Sequence, residues 1–150
     1  MNKELFSNAR WHHIAISVCN MEAMVAFYRD ILGFEVEWQL DHIKAEMIDT
    51  IVGLKDVDVH IAMLIGYGTR IELFQYHQPP GEEQSHRQCD LGYTHICLLV
   101  EDAVALHEAL IAEGINFVSP PVNHRPDGFC CYMQDPEGNV IEMLTRKDQL

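Results

Sequence analysis

Apolar and polar positions along this chain follow a pattern that occurs twice. Residues 13–20 (HIAISVCN) and 95–102 (HICLLVED) each read as a short buried strand, opened by His and closed by an Asx helix cap. Helical spacing follows in both places. Met21, Met24, Val25, Tyr28, Ile31 and Leu32 form the first apolar stripe, and Val104, Leu106, Leu110 and Ile111 the second. Gly33 and Gly114 then stand where a helix ends in a left-handed residue. Strand starts come next, at 34–36 and 115–118, followed by strand-like runs at 57–65 and about 129–134. Each half closes on a matching strand, 71–74 (IELF) and 141–144 (IEML). The pattern predicts two βαβββ modules at about 11–76 and 91–147, joined by a linker at about 77–90, as one α+β domain over 1–150. The first half carries an extra stretch at 41–54, where Ile43, Met47, Ile51 and Val52 predict a short helix. Insertions of this kind ordinarily tune substrate preference rather than fold.

Composition narrows the partners. With 48% hydrophobic and 22% charged residues, the chain is neither a disordered tail nor a collagen-like repeat. Its formal charge of -13 repels phosphate backbones and anionic lipid, so no nucleic acid and no membrane surface is expected as a partner. No run approaches the roughly 18 apolar residues of a membrane helix, and residues 1–6 lack the apolar run of a signal peptide. A cytoplasmic protein is expected. Five cysteines without CxxC spacing fit reduced thiols, with Cys19 and Cys97 as core fillers in apolar runs. No GxGxxG or Walker-type loop suggests a nucleotide cofactor.

The repeat puts a His at the start of the first strand of each half and a Glu inside the last. These are His13, Glu72, His95 and Glu142. If the modules pair about a pseudo-twofold axis, the four side chains can converge on one point. Two imidazoles and two carboxylates suit one divalent transition metal such as Zn, Ni, Co, Mn or Fe. A single strand His is usually a satisfied core or edge residue, and a single strand Glu a solvated one. Here both pairs would have to coincide, with each Glu inside an apolar strand where burial without a partner is costly. Among the other polar residues, Arg87 and Arg125 lie in or near loops 77–81 and 119–121 and suit an anionic substrate group. His12 should face away from His13, because strand neighbours alternate. His107 falls in a helix, and His42, His77 and His86 have no partner visible in sequence.

On these residues the chain resembles the vicinal oxygen chelate superfamily, the fold of glyoxalase, methylmalonyl-CoA epimerase and extradiol dioxygenase. The resemblance runs from about His13 to Arg146 and includes the turn Asp135-Pro136-Glu137-Gly138 before the last strand. It implies two βαβββ modules forming a cup-shaped mixed sheet around one metal site, with His13, Glu72, His95 and Glu142 at the ligand positions. It also implies a small-molecule carbonyl or vicinal-oxygen substrate and, by analogy of fold, a homodimer. The shared chemistry is a metal acting as Lewis acid on adjacent substrate oxygens. A base removes the proton next to a carbonyl, and the enediolate that forms is stabilised by the ion. Glu142 or Glu72 is that base, which makes the leading reading an isomerase or epimerase using Zn, Ni, Co or Mn.

Three other branches of the superfamily frame that reading. Glyoxalase I (lactoylglutathione lyase) shares the ligand set, but the family's arginine four positions after the first ligand corresponds here to Ser17. Its asparagine four positions after the second corresponds to Tyr76. The extradiol dioxygenase signature is nearly reproduced by Val122-Asn123-His124, Tyr132, Asp135-Pro136, Gly138 and Glu142, departing at Cys131. That likeness implies substrate-side acid/base roles for His124 and Tyr132 near iron, but Glu72 would be a fourth ligand where those enzymes use three. A metal-free binding or resistance protein of the same fold generally lacks the ligand set. In methylmalonyl-CoA epimerase the base is a separate residue, and His60 lies on about the right strand for it.

Overall fold

The computed structural model describes residues 5, 7–82, 87–126 and 128–146, so His86 lies outside the described residues. It contains two compact units, Met1–Glu82 and Glu83–Leu150. The first holds β1 (Ile14–Ser17), α1 (Met21–Ala26), β2 (Glu35–Ile43), α2 (Glu46–Val52), β3 (Asp58–Gly66) and β4 (Thr69–Gln78). Its four strands form a mixed sheet in the order β1-β4-β3-β2, with β1 parallel to β4 and the other pairs antiparallel. α1 starts where Asn20 caps it, the side-chain oxygen accepting from the Ala23 N–H at 3.1 Å. It passes into a π-helical turn at Phe27–Ile31 and stops before Gly33, whose φ of +76° costs glycine no Cβ clash.

Both faces of this sheet are used. α1 packs on β3 and β4, and its first N–H, at Met21, donates to the Gln75 side chain at 3.0 Å. Residues of β4 that share Gln75's face, Ile71 and Leu73, are buried to within 1% of complete enclosure, as are Met24 and Tyr28 of the helix. The opposite face carries Val57, Val59 and Ile61 with Phe74 and Tyr76, and α2 covers them with Ile48 and Val52. Glu72 alternates onto this second face. The helix expected within 41–54 is therefore present as α2, while residues 41–43 belong to β2.

The second unit repeats the plan with β5 (His95–Leu99), α3 (Ala103–Ala112), β6 (Val122–Arg125), β7 (Gly128–Gln134) and β8 (Val140–Leu144), in the order β5-β8-β7-β6. Asp102 caps α3 by accepting from Val104 and Ala105 N–H groups at 2.9 and 3.0 Å, and Gly114 takes φ +82° after the helix. Cys131, Met133, Ile141 and Met143 are the buried row of β7 and β8. Met133, Ile141 and Met143 each contribute about 1.5–3 kcal/mol. One sequence expectation is corrected here. Residues 115–118 do not form a strand; Phe117 makes a single bridge to Met133, and the second strand of the module is β6, beyond Pro120-Pro121. The consecutive prolines remove two ladder donors, so pairing resumes only after them.

β8 is aimed by the turn before it. Asp135, 3% exposed, accepts from the backbone N–H groups of Glu137 and Asn139 at 3.0 and 2.8 Å and from the Asn139 amide at 2.8 Å. Asp135→Ala is expected to cost about 2–3 kcal/mol by leaving these donors without their charged acceptor. A lower urea midpoint at unchanged slope checks it.

Candidate functional site

Strand register positions the four predicted ligands as two matched pairs, one in each unit. In the first, β1 runs parallel to β4 with Ala15 opposite Glu72. His13, two residues earlier and just before β1, places its Nε2 3.2 Å from Glu72 Oε2. In the second, Cys97 stands opposite Glu142, and His95, again two residues earlier, places Nε2 3.2 Å from Glu142 Oε2. A slip of one residue in either register would turn the carboxylate to the opposite face of its sheet.

The other nitrogen of each imidazole is also occupied. His13 Nδ1 lies 2.8 Å from His12 Nδ1, and His95 Nδ1 lies 3.0 Å from Thr94 Oγ1. In both units the preceding side chain orients the ring and leaves Nε2 toward the carboxylate, which is how metal-binding imidazoles are commonly held. His12 therefore does not face away from His13; their rings meet edge to face at 5.0 Å. Both residues precede β1, where strand alternation does not apply.

The pairs differ in what surrounds them. Opposite Glu72 on β3 is Met63; opposite Glu142 on β7 is Tyr132, whose ring centroid lies 5.1 Å from that of His95. Burial, then the Glu142 carboxylate, raises the Tyr132 hydroxyl above its ordinary range, and burial with Glu72 does the same to Tyr76. Cys97 is an exposed residue, as is Cys19, so neither is the core filler its apolar run suggested; Cys131 is buried instead. Desolvation, followed by the Glu142 charge and a hydrogen bond to it, pushes the Cys97 thiol up to about 12. In metal-free protein at pH 8, Cys97 should alkylate on the order of 100-fold more slowly than an ordinary thiol. Glu142→Gln should speed that labelling, as read by peptide mass spectrometry.

The other expected site residues stand apart from the His–Glu pairs. His124 and Arg125 are exposed on β6, which pairs with β7, so they sit two strands from Glu142. Arg87 is engaged by Asp90, with its backbone N–H and Nη2 each 2.8 Å from that carboxylate. His107 packs its ring on Phe117 at 4.4 Å. His60 stands opposite Gln75, on the face turned away from Glu72, which removes it as a second base beside that residue.

A second group of donor atoms was not legible in sequence. Asp41, His60 and His77, and likewise His42, Asp58 and His77, each bring three ligand atoms within 4.8 Å of one another. His42 and His77 thus have partners: Asp58 at 3.0 Å and Asp41 at 2.9 Å.

Among the described residues no helix is long and apolar enough to cross a membrane. Residues 10–143 match the sequence profile of the Glyoxalase/Bleomycin resistance protein/Dioxygenase superfamily. A 2-epi-5-epi-valiolone epimerase from Actinomyces sp is 32% identical over 73% of this chain, which spans 62% of that relative's length. An ethylmalonyl-CoA/methylmalonyl-CoA epimerase from Cereibacter sphaeroides is 30% identical over 70% of the chain and 71% of its own length. Among solved structures, a glyoxalase family protein from Bacillus cereus superposes with a TM-score of 0.82 at 25% identity, covering 93% of this chain and 96% of that one.

Proposed function

The chain belongs to the glyoxalase/bleomycin resistance protein/dioxygenase superfamily, and on that premise we propose that it is a metal-dependent isomerase or epimerase acting on the carbon next to a carbonyl. The observation that carries the reading is the matched pair of His–Glu contacts, both at 3.2 Å, each with the second imidazole nitrogen engaged by the preceding residue. This donor set fits a divalent ion of the Zn, Ni, Co or Mn kind, held by His13, Glu72, His95 and Glu142. When bound, such an ion supplies a Lewis acid that polarises a substrate oxygen.

The chain's own groups do the rest. Glu142 or Glu72 takes the proton from the carbon, and the same or the other carboxylate returns it. Two carboxylates allow return to the opposite face of that carbon; a single one allows return to a neighbouring carbon. Tyr132, with its hydroxyl held protonated beside Glu142, donates a hydrogen bond to substrate, and Arg125 with His124 serves an anionic substrate group. The relatives named as epimerases support this class of reaction over thiol-adduct or ring-cleavage chemistry.

Elemental mass spectrometry of protein purified without added metal tests the reading first. At least one Zn, Ni, Co or Mn per chain is expected, with deuterium entering carbonyl substrates next to the carbonyl in deuterated water. Iron accompanied by oxygen uptake on a catechol would replace this reading with ring cleavage. Absence of metal after titration would end it in favour of a binding role. A homodimer is the proposed assembly, to be read by light scattering.

A further inference from the structure

Two β-bulges lie at the same end of the first unit's sheet, one on each neighbour of β3. Along β2 the register steps from Leu40 opposite Ile61 to Ile43 opposite Val59, so Asp41 and His42 share the place opposite His60. Along β4 it steps from Tyr76 opposite Val59 to Gln78 opposite Asp58, leaving His77 as the extra residue. A bulge bends its strand and redirects the inserted side chain. Here the two bulges direct Asp41 and His77 onto the same group. His77 Nε2 lies 2.9 Å and His60 Nδ1 3.6 Å from Asp41 Oδ1. His42 reaches its place with φ 53°, a left-handed conformation that a non-glycine residue seldom adopts without compensation.

We propose that Asp41, His60 and His77 form a second metal site, for a single Zn2+ or a similar borderline divalent ion, on the face of the sheet turned away from Glu72. Donor atoms around a tetrahedral ion with bonds of roughly 2.0–2.1 Å stand about 3.3 Å apart. The two separations recorded here bracket that spacing, and all three donors lie within 4.8 Å of one another. Gln39 orients the His60 ring: its side-chain amide lies 2.7 Å from Nε2, so Nδ1 is the nitrogen turned to Asp41. His42 stacks on His77 at 4.6 Å and holds that ring from the side. The neighbouring carboxylate, Asp58, is matched already by Lys44 at 3.1 Å and His42 at 3.0 Å, which leaves Asp41 as the anion for the ion. His60 is mostly enclosed, with 14% of its side chain exposed, while Asp41 at 48% leaves an entry path and a position for water.

Zinc titration of tag-free, full-length protein by calorimetry tests this site separately from the four-residue set. A chain carrying His13→Ala and His95→Ala should still bind about one zinc ion. Adding Asp41→Asn or His77→Gln to it should weaken that binding by on the order of tenfold or more. In the otherwise unchanged chain, either outer substitution should remove one of two bound zinc ions and leave metal-dependent activity in place. A natively folded His13→Ala, His95→Ala chain that takes up no zinc overturns the proposal. So does zinc binding that neither Asp41→Asn nor His77→Gln alters.

Discussion

Glu142→Ala and His95→Ala should each strip the proposed four-residue metal set of its ion and lower activity by about 10³-fold or more. The fold should survive both changes. Glu142 alternates with Ile141 and Met143, the residues that face the helix side, and its own side chain is partly open to solvent. Removing it opens no cavity in the packed row, so the urea midpoint should move little. Glu142→Gln separates two roles. It keeps the size and one oxygen donor but cannot take a proton, so metal retention with a rate down by about 10²–10⁴ assigns the base to Glu142. Metal retention with a near-normal rate assigns it to Glu72, where the same substitution should then abolish exchange. Full metal occupancy in either alanine variant would sink the ligand assignment, whatever happened to the rate.

On the face of β4 opposite Glu72, Leu73→Ala is expected to cost about 2–5 kcal/mol. Leu73 is completely enclosed, pairs with Ala62 on β3 and stands beside Ile16 on β1. Its side chain fills the layer between sheet and α1, so truncation leaves a void that close-packed neighbours close only in part. Phe74, one residue on, is half-buried with Tyr76 on the face that carries Glu72, and Phe74→Ala should disturb the α2 side. Denaturant titration of both variants reads the difference. A loss under about 1 kcal/mol for Leu73→Ala would mean that the helix-covered layer is not where β4 is anchored.

The sequence made much of this plan legible because the signals are local and occur twice. Asn20 and Asp102 accept the hydrogen bonds expected of helix caps, and Gly33 and Gly114 take the positive φ expected after a helix. Both halves show the same strand order. The His and Glu of each half could be matched by position alone, since a parallel register carries a two-residue offset in sequence to a shared face in space. What failed was non-local. Residues 115–118 look like a strand, but Pro120-Pro121 displaces the paired segment to 122–125. Asp41, His60 and His77 come together through bulges, and an inserted residue leaves no mark in an alternating pattern until the partner strand is known. Cys97 read as apolar filler because a thiol beside aliphatic residues gives no sign of the carboxylate across the ladder.

The near-equivalence of the two halves breaks at the carboxylates. Glu72 has Ala15 and Met63 as its strand neighbours, while Glu142 has Cys97 and Tyr132, a thiol and a phenol. If one carboxylate serves each mirror-related form of a substrate, the two half-reactions take place in different surroundings, one beside a thioether and the other beside a thiol and a phenol. A catalyst leaves the equilibrium between those forms untouched. The inequality should therefore show in the exchange: in deuterated water, each form supplied alone should take up solvent hydrogen at its own rate.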